Sequence, residues 1–398
     1  MTGASVSERS LEHFGGILAA PTRRDRAFSI GAVAAAVLVL GLAAAAVVIA
    51  VTRPGPSLAA TLTVPGGATS AAFSPDGTTL AVLDAHGSVH LRNVATRHWT
   101  GTLTSRQCPG RDAQVLFSPD GSTLAIIGSP RGSTCLWDLA TRRQIAVVTE
   151  PGSHGYSTGV TGGAFSPDGK ILAIGDSDGS TYLWNVAAVR QIATLTDPSS
   201  GPDGAPDVEA VAFSPDGTTL AAGDGNDETY IWSLATRRMV AALNDTASNL
   251  PVGGGYMDSG GVESLAFGPD GTLAVGDGDG NVNLWDLSTE KPVAALAPPI
   301  NIMEANPLYY SPADVAGQVE GANGPIGVTV VSGNHGTVLA TGVDFGYGID
   351  LWTGTHKTAA LTDPHGDNTQ APQLALNPNG TMLAVVDHNG RVYLWHIG

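Results

Sequence analysis

The sequence predicts an all-β fold of repeated four-stranded units behind one transmembrane α-helix, and three observations predict it. Gly reaches 52 residues while charged residues make up only 14%, the balance of many short strands joined by tight turns rather than amphipathic helices. A five-residue turn signature recurs along most of the chain, which marks repeats rather than unrelated domains. One stretch of 25 residues, 27–51, carries no charge.

That stretch is long enough to cross a hydrocarbon core of roughly 30 Å. Arg9, Arg23, Arg24 and Arg26 precede it and only Arg53 follows closely, an asymmetry that keeps the N-terminus in the cytoplasm. Residues 1–26 are therefore expected to be a short cytoplasmic tail, 27–51 a transmembrane helix, 52–56 a linker, and 57–398 a domain outside the membrane. The competing reading is a cleaved signal, with small-residue sites near Ala45 and Ala50 and a Thr22-Arg23-Arg24 run similar to the start of a twin-arginine signal. The apolar run exceeds the ~7 to 15 residues of a usual signal core. Both readings export residues 57–398, tethered in the first and secreted in the second if 1–50 is removed.

Of the formal charge of −17, residues 1–56 carry +2 and residues 57–398 carry −19. So acidic a portion repels phosphate backbones, whose binding depends on clustered Lys and Arg. Nucleic acid is excluded as a partner.

Phe-(Ser or Gly)-Pro-Asp-Gly begins at Phe73, Phe117, Phe165, Phe213 and Phe267, with a variant Leu376-Asn377-Pro378-Asn379-Gly380 near the end. Ser-Pro-Asp-Gly suits a type I turn, Pro fixing φ at its second place and Gly closing the fourth. Each copy precedes an apolar run, an Asp/Gly/Asn turn and a strand ending in Trp. The strand-end positions are Arg92, Trp137, Trp184, Trp232, Trp285, Trp352 and Trp395, spaced by 45, 47, 48, 53, 67 and 43 residues. Four strands per unit need ~40 to 45. The spacing predicts seven blades, and nearly all six Trp are expected in blade cores.

These residues resemble the WD-repeat β-propeller family over about residues 57–398, as a membrane-anchored, bacterial-type member; the resemblance implies a seven-bladed β-propeller. Three features depart from the family pattern. The usual Gly-His pair is missing, Arg92 replaces the first Trp, and the sixth repeat lacks its Pro-Asp-Gly turn. Family propellers close by completing the last blade from the other end of the chain. Here residues 57–64 resemble the outer strands that follow each Trp, so they are expected to pair with 390–397.

The five-residue linker spans at most roughly 18 Å, which holds the ring against the bilayer with its inter-blade loops pointing away. Those loops have grown, at 151–161, 197–207, 244–261, 297–324 and 363–372. Long insertions gathered on one side of a rigid ring are where binding resides. The candidate binding residues there are Tyr156, Asp203, Asp207, Tyr256, Met257, Asp258, Met303, Glu304, Tyr309, Tyr310 and Asp314. Tyr and Met favour interface cores, and acid suits a basic partner.

No catalytic residue, metal site or cofactor is assigned. Gly155-Tyr156-Ser157-Thr158-Gly159 has the spacing of a nucleophile elbow but lies in a Gly-rich loop rather than on a strand-to-helix turn. Asp176-Ser177-Asp178-Gly179 and its counterparts lack the later Glu of a calcium loop, and Asp, Asn and Gly are what tight turns require. Cys108 and Cys135 fall in one exported blade, where a disulfide can persist; a bond and two separate thiols both fit the sequence. The expected function is that of a non-enzymatic, membrane-anchored scaffold capturing a protein partner through the loops. Its alternatives are a transmembrane sensor of a small molecule or peptide at the channel mouth and, less favoured, an envelope hydrolase.

Overall fold

The structure is a computed structural model that describes residues 55–105, 107, 113–128, 133–149, 160–198, 206–244, 261–277, 282–296, 328–333, 336–342, 349–361, 373–387 and 389–397. The tail and the transmembrane helix expected over 1–51 lie outside these residues, as do positions 52–54. Among the described residues no helix is long and apolar enough to cross a membrane.

The described residues form 28 strands in seven four-stranded antiparallel sheets. After β1 (Ser57–Thr63), blade one is β2 (Ala68–Phe73), β3 (Thr79–Asp84), β4 (Val89–Asn93) and β5 (Trp99–Leu103). Blade two is β6 (Gln114–Phe117), β7 (Thr123–Ile127), β8 (Ser133–Asp138) and β9 (Arg143–Thr149). Blade three is β10 (Val160–Phe165), β11 (Ile171–Asp176), β12 (Ser180–Asn185) and β13 (Arg190–Thr196). Blade four is β14 (Val208–Phe213), β15 (Thr219–Asp224), β16 (Glu228–Ser233) and β17 (Arg238–Asn244). Blade five is β18 (Val262–Phe267), β19 (Thr272–Asp277), β20 (Val282–Asp286) and β21 (Lys291–Ala295). Blade six is β22 (Val328–Gly333), β23 (Gly336–Gly342), β24 (Ile349–Thr353) and β25 (His356–Leu361), complete although its turn signature is absent. Blade seven is β26 (Gln373–Leu376), β27 (Met382–Val386) and β28 (Arg391–His396), with β1 as its outer strand, Ser57 opposite His396 and Thr63 opposite Arg391.

The innermost strand of each blade touches that of the next, from β2 through β26 and back to β2. The molecule is thus the seven-bladed all-β propeller that the Trp spacing predicts. Every sheet is complete without residues 1–54, and Gly55–Gly398 forms a compact unit by itself.

Local chemistry explains each blade. In the first turn Ser74 Oγ donates to Asp76 Oδ1 at 2.6 Å and accepts from Thr79 N at 2.9 Å. Gly77 N reaches Ser74 O at 2.8 Å, with Gly77 at φ +69°. Ser118, Ser166 and Ser214 repeat the arrangement with Asp120, Asp168 and Asp216. In blade seven Asn377 Oδ1 stands in, accepting from Thr381 N and Met382 N. The turn glycines Gly77, Gly121, Gly169 and Gly217 face Pro378, Pro75, Pro119 and Pro167 of the preceding blades, so these turns share one face of the ring.

Second strands such as β3 and β15 are buried along almost their whole length. They lie in the middle of a sheet covered on both sides by neighbouring blades, which is why they read as apolar runs rather than alternating patterns. Trp137, Trp232, Trp285 and Trp352 are buried in the clusters between blades, and Trp184 and Trp395 are partly buried against them. In blade one, Arg92 is itself buried and pairs in register with Trp99 of the outer strand. The Arg92 guanidinium lies 5.8 Å from the Trp99 ring centroid and its Nε donates to Arg97 O at 3.1 Å. The aromatic ring has moved from the third strand to the fourth.

Candidate functional site

Each hairpin turn between first and second strands lies on one face, the turn face, and antiparallel order puts the third-to-fourth-strand turns there too. The second-to-third-strand turns and the connections between blades lie on the opposite, loop face. Of the eleven loop residues singled out in the sequence, Asp207 is described. Tyr156, Asp203, Tyr256, Met257, Asp258, Met303, Glu304, Tyr309, Tyr310 and Asp314 lie outside the described residues.

Asp207 belongs to a run of carboxyl groups crossing three blades on the loop face. Its base is an Asp at the end of the second strand in blades one, three, four, five and seven. Asp84 Oδ1 accepts from His86 N and Ser88 N, and Asp224 Oδ1 from Asn226 N and Glu228 N. These are the turn bonds that Asp is selected to make. Only one carboxylate oxygen is used this way, so the blades differ in what meets the other.

In blade one His90 Nε2 sits 2.9 Å from Asp84 Oδ2, and in blade seven Tyr393 donates to Asp387 Oδ2 at 3.2 Å. In blade three Tyr182 instead donates to Asp178 at 2.6 Å, leaving Asp176 Oδ2 buried without a hydrogen-bond partner. Burial, then the nearby Asp178 charge, raises the Asp176 pKa. In blade four the group facing Asp224 is another carboxyl, Asp197, from the end of blade three. Asp224 is 0% and Asp197 4% exposed. Burial and the hydrogen bond with Asp197 push Asp224 up to about 7, because two adjacent buried carboxyls cannot both ionise cheaply and one keeps its proton.

Burial raises Asp207, whose carbonyl accepts from Gly225 N at 3.0 Å. Burial and the Asp207 charge raise Glu209, which also hydrogen-bonds Glu263 of blade five. The sequence reading found Asp207 because it ends an insertion. It assigned Asp224 to turn chemistry alone and missed Asp197, Glu209 and Glu263, which read as ordinary acids at strand ends. Such an arrangement stores protons and sets a negative field around the connection between blades three and four. Among the described residues no group of three or more His, Cys, Asp or Glu is placed to hold a metal ion.

On the turn face, a pocket of about 300 Å³ opens between blades one and two, lined by residues including Asp76, Asp120 and Arg142. Cys135, fully buried in β8, is disulfide-bonded; Cys108, the other cysteine of the sequence, lies outside the described residues. Replacing Cys135 by Ser is expected to lower stability by about 2 to 4 kcal/mol. Melting curves with and without reductant read the effect, and identical curves for both proteins would exclude it.

The WD domain, G-beta repeat family model matches residues 147–185, 191–233 and 254–286, which end on β12, β16 and β20, the Trp-bearing third strands of blades three to five. No curated protein matches the chain. Repeats and ring together define the class: the chain folds as a seven-bladed β-propeller that carries WD repeats at three positions. Propellers of this class serve in general as platforms for protein interaction.

Proposed function

We propose that the protein is a membrane-anchored extracytoplasmic scaffold that captures a partner with a basic surface through its loop face. The observation that carries this reading is where chain length has been spent. Between Asn244 and Val262 the chain has 17 residues, between Ala295 and Val328 it has 32, and between Leu361 and Gln373 it has 11, whereas the turns on the other face have two to five. Insertions presented on a rigid ring are typical binding elements. The carboxyl groups from Asp176 to Glu263 add a field favouring a basic partner and speeding its approach. The uncharged segment 27–51 supports the anchor.

The test is capture of envelope proteins by residues 55–398, repeated with residues 300–323 replaced by a short Gly/Ser loop. One partner enriched by the first protein, eluted by salt near 0.5 M and lost with the loop, is the expected result. Salt elution follows because surface charge pairs are screened at that ionic strength. No partner with either protein would move the reading to small-ligand sensing.

A further inference from the structure

The turns between third and fourth strands hold a left-handed residue at one register, and in five of the six blades that have such a turn it is not glycine: Arg97, Arg142, Val189, Arg237 and Glu290, against Gly354 in blade six. A side chain there costs the backbone something that glycine would not. At three of the five positions what that cost retains is an arginine. Arg97, Arg142 and Arg237 are joined by Arg143, Arg190 and Arg238 at the first positions of the next strands, all exposed. Exposed apolar side chains alternate with them around the rim: Trp99 at 45%, Val189 at 37%, Met239 at 41% and Val293 at 59%. The remainder of an acidic propeller would be repelled by an anionic surface. This rim would not.

The chain also enters the ring here. Ser57 lies opposite His396, the register that places Arg143 opposite Asp138, Arg190 opposite Asn185 and Arg238 opposite Ser233. Leu58, beside it, is 42% exposed. The residues ahead of Ser57 are a five-residue linker and the uncharged segment 27–51, and five residues reach no farther than roughly 18 Å. On the same face, Asp76 and its counterparts sit in the inner turns and are hydrogen-bonded by Ser and backbone N–H, and the rim turns themselves hold three acids, Asp138, Asp286 and Glu290, against the six arginines. The rim outside the inner turns is the part that faces outward.

We propose that the rim of arginines and apolar side chains rests on anionic lipid headgroups of the bilayer that the protein's own leading segment crosses, so the loop face is held toward solvent. Arginine suits phosphate oxygens through its forked donors, and Trp and Met suit the zone between headgroup and acyl chain. The proposal rests on the anchored reading above.

Residues 55–398 would be floated with vesicles of phosphatidylcholine alone or with about a third phosphatidylglycerol, at ~50 mM and ~0.5 M salt. Arg97→Gln, Arg142→Gln, Arg190→Gln and Arg237→Gln would be combined in a second protein whose circular dichroism and melting are checked first. The expected result is binding to the anionic vesicles, loss in high salt, and weakening by at least about tenfold in the variant. No binding, equal binding to both vesicles or an unchanged variant overturns the proposal. So does rim-dependent binding of polyglutamate without vesicle binding, which would assign the rim to an acidic protein. Carbonate extraction of membranes carrying the full chain tests the anchor separately. Retention there, with no vesicle binding by 55–398, would sink the rim proposal alone, and release would sink the anchor.

Discussion

A chain starting at Val64 will melt far below the one starting at Gly55, or will persist only as an oligomer that borrows a strand from a second copy. β1 is the fourth strand of blade seven, paired along its length with β28. It brings Leu62, 6% exposed, against Val392, Leu394 and Ala384. Without it β28 becomes an open edge, the hazard that ring closure removes. Losing the ladder bonds and one buried leucine costs on the order of 5 kcal/mol or more, comparable with the whole stability of a typical domain. Thermal melts and light scattering after gel filtration read the outcome. Addition of a peptide of sequence 57–63 should restore the monomer's melt, since an added strand pairs with an exposed edge. An unchanged melting temperature and a clean monomer without β1 would show that the ring holds without its closing strand.

The second large effect is on pH. Folding raises the Asp224 pKa from the usual carboxylate value to about 7, so between about pH 4 and pH 7 the folded protein holds a proton that the unfolded chain releases. Stability on this account is fully present below pH 4 and is lost as pH rises through 7. The loss for Asp224 is on the order of 2 to 4 kcal/mol between pH 5 and pH 8. Asp176, Asp207 and Glu209 are raised as well and slope the same way. The turn carboxylates Asp76, Asp120, Asp168 and Asp216 are lowered by their Ser hydroxyls or, for Asp168, first by Lys170. They act oppositely, losing their contribution as pH falls below about 4, and Asp168 titrates at about 2. The two sets predict a stability optimum in the mildly acidic range.

Asp224→Asn keeps an oxygen for Asn226 N and Glu228 N and offers Asp197 an N–H in place of the stored proton. The variant should gain stability at pH 8 and lose much of the slope between pH 5 and pH 8. Urea midpoints at the two pH values measure it. A variant no more stable than the parent at pH 8, with the same slope, would show that Asp224 is ionised in the native protein.

How much of this was legible beforehand depends on the distance over which each feature is encoded. Ser-Pro-Asp-Gly builds its turn from five consecutive residues, so the hairpins could be read directly. The Trp at each third-strand end announced the blade count because it recurs at blade length. Blade six shows the limit. It has no such turn signature, yet β22–β25 form a full sheet between blades five and seven, because a ring of this circumference leaves one gap and only a complete blade fills it. Trp99 shows another, since nothing in its neighbours says that it covers Arg92 from the outer strand.

The candidate site divides along the same line. Asp207 drew notice as the end of an insertion, but the groups that change its chemistry come from other strands. Asp197 lies 27 positions before Asp224, and Glu263 lies 54 after Glu209. By itself the sequence determined the repeating blade, the number of blades and the acidic character of residues 57–398, because turn chemistry, apolar runs and net charge are local or additive. Only the tertiary structure decided which carboxyls share a proton, which arginines line one rim and where the chain enters the ring. Those depend on which blades are neighbours and which face each turn occupies, and ring closure alone sets both.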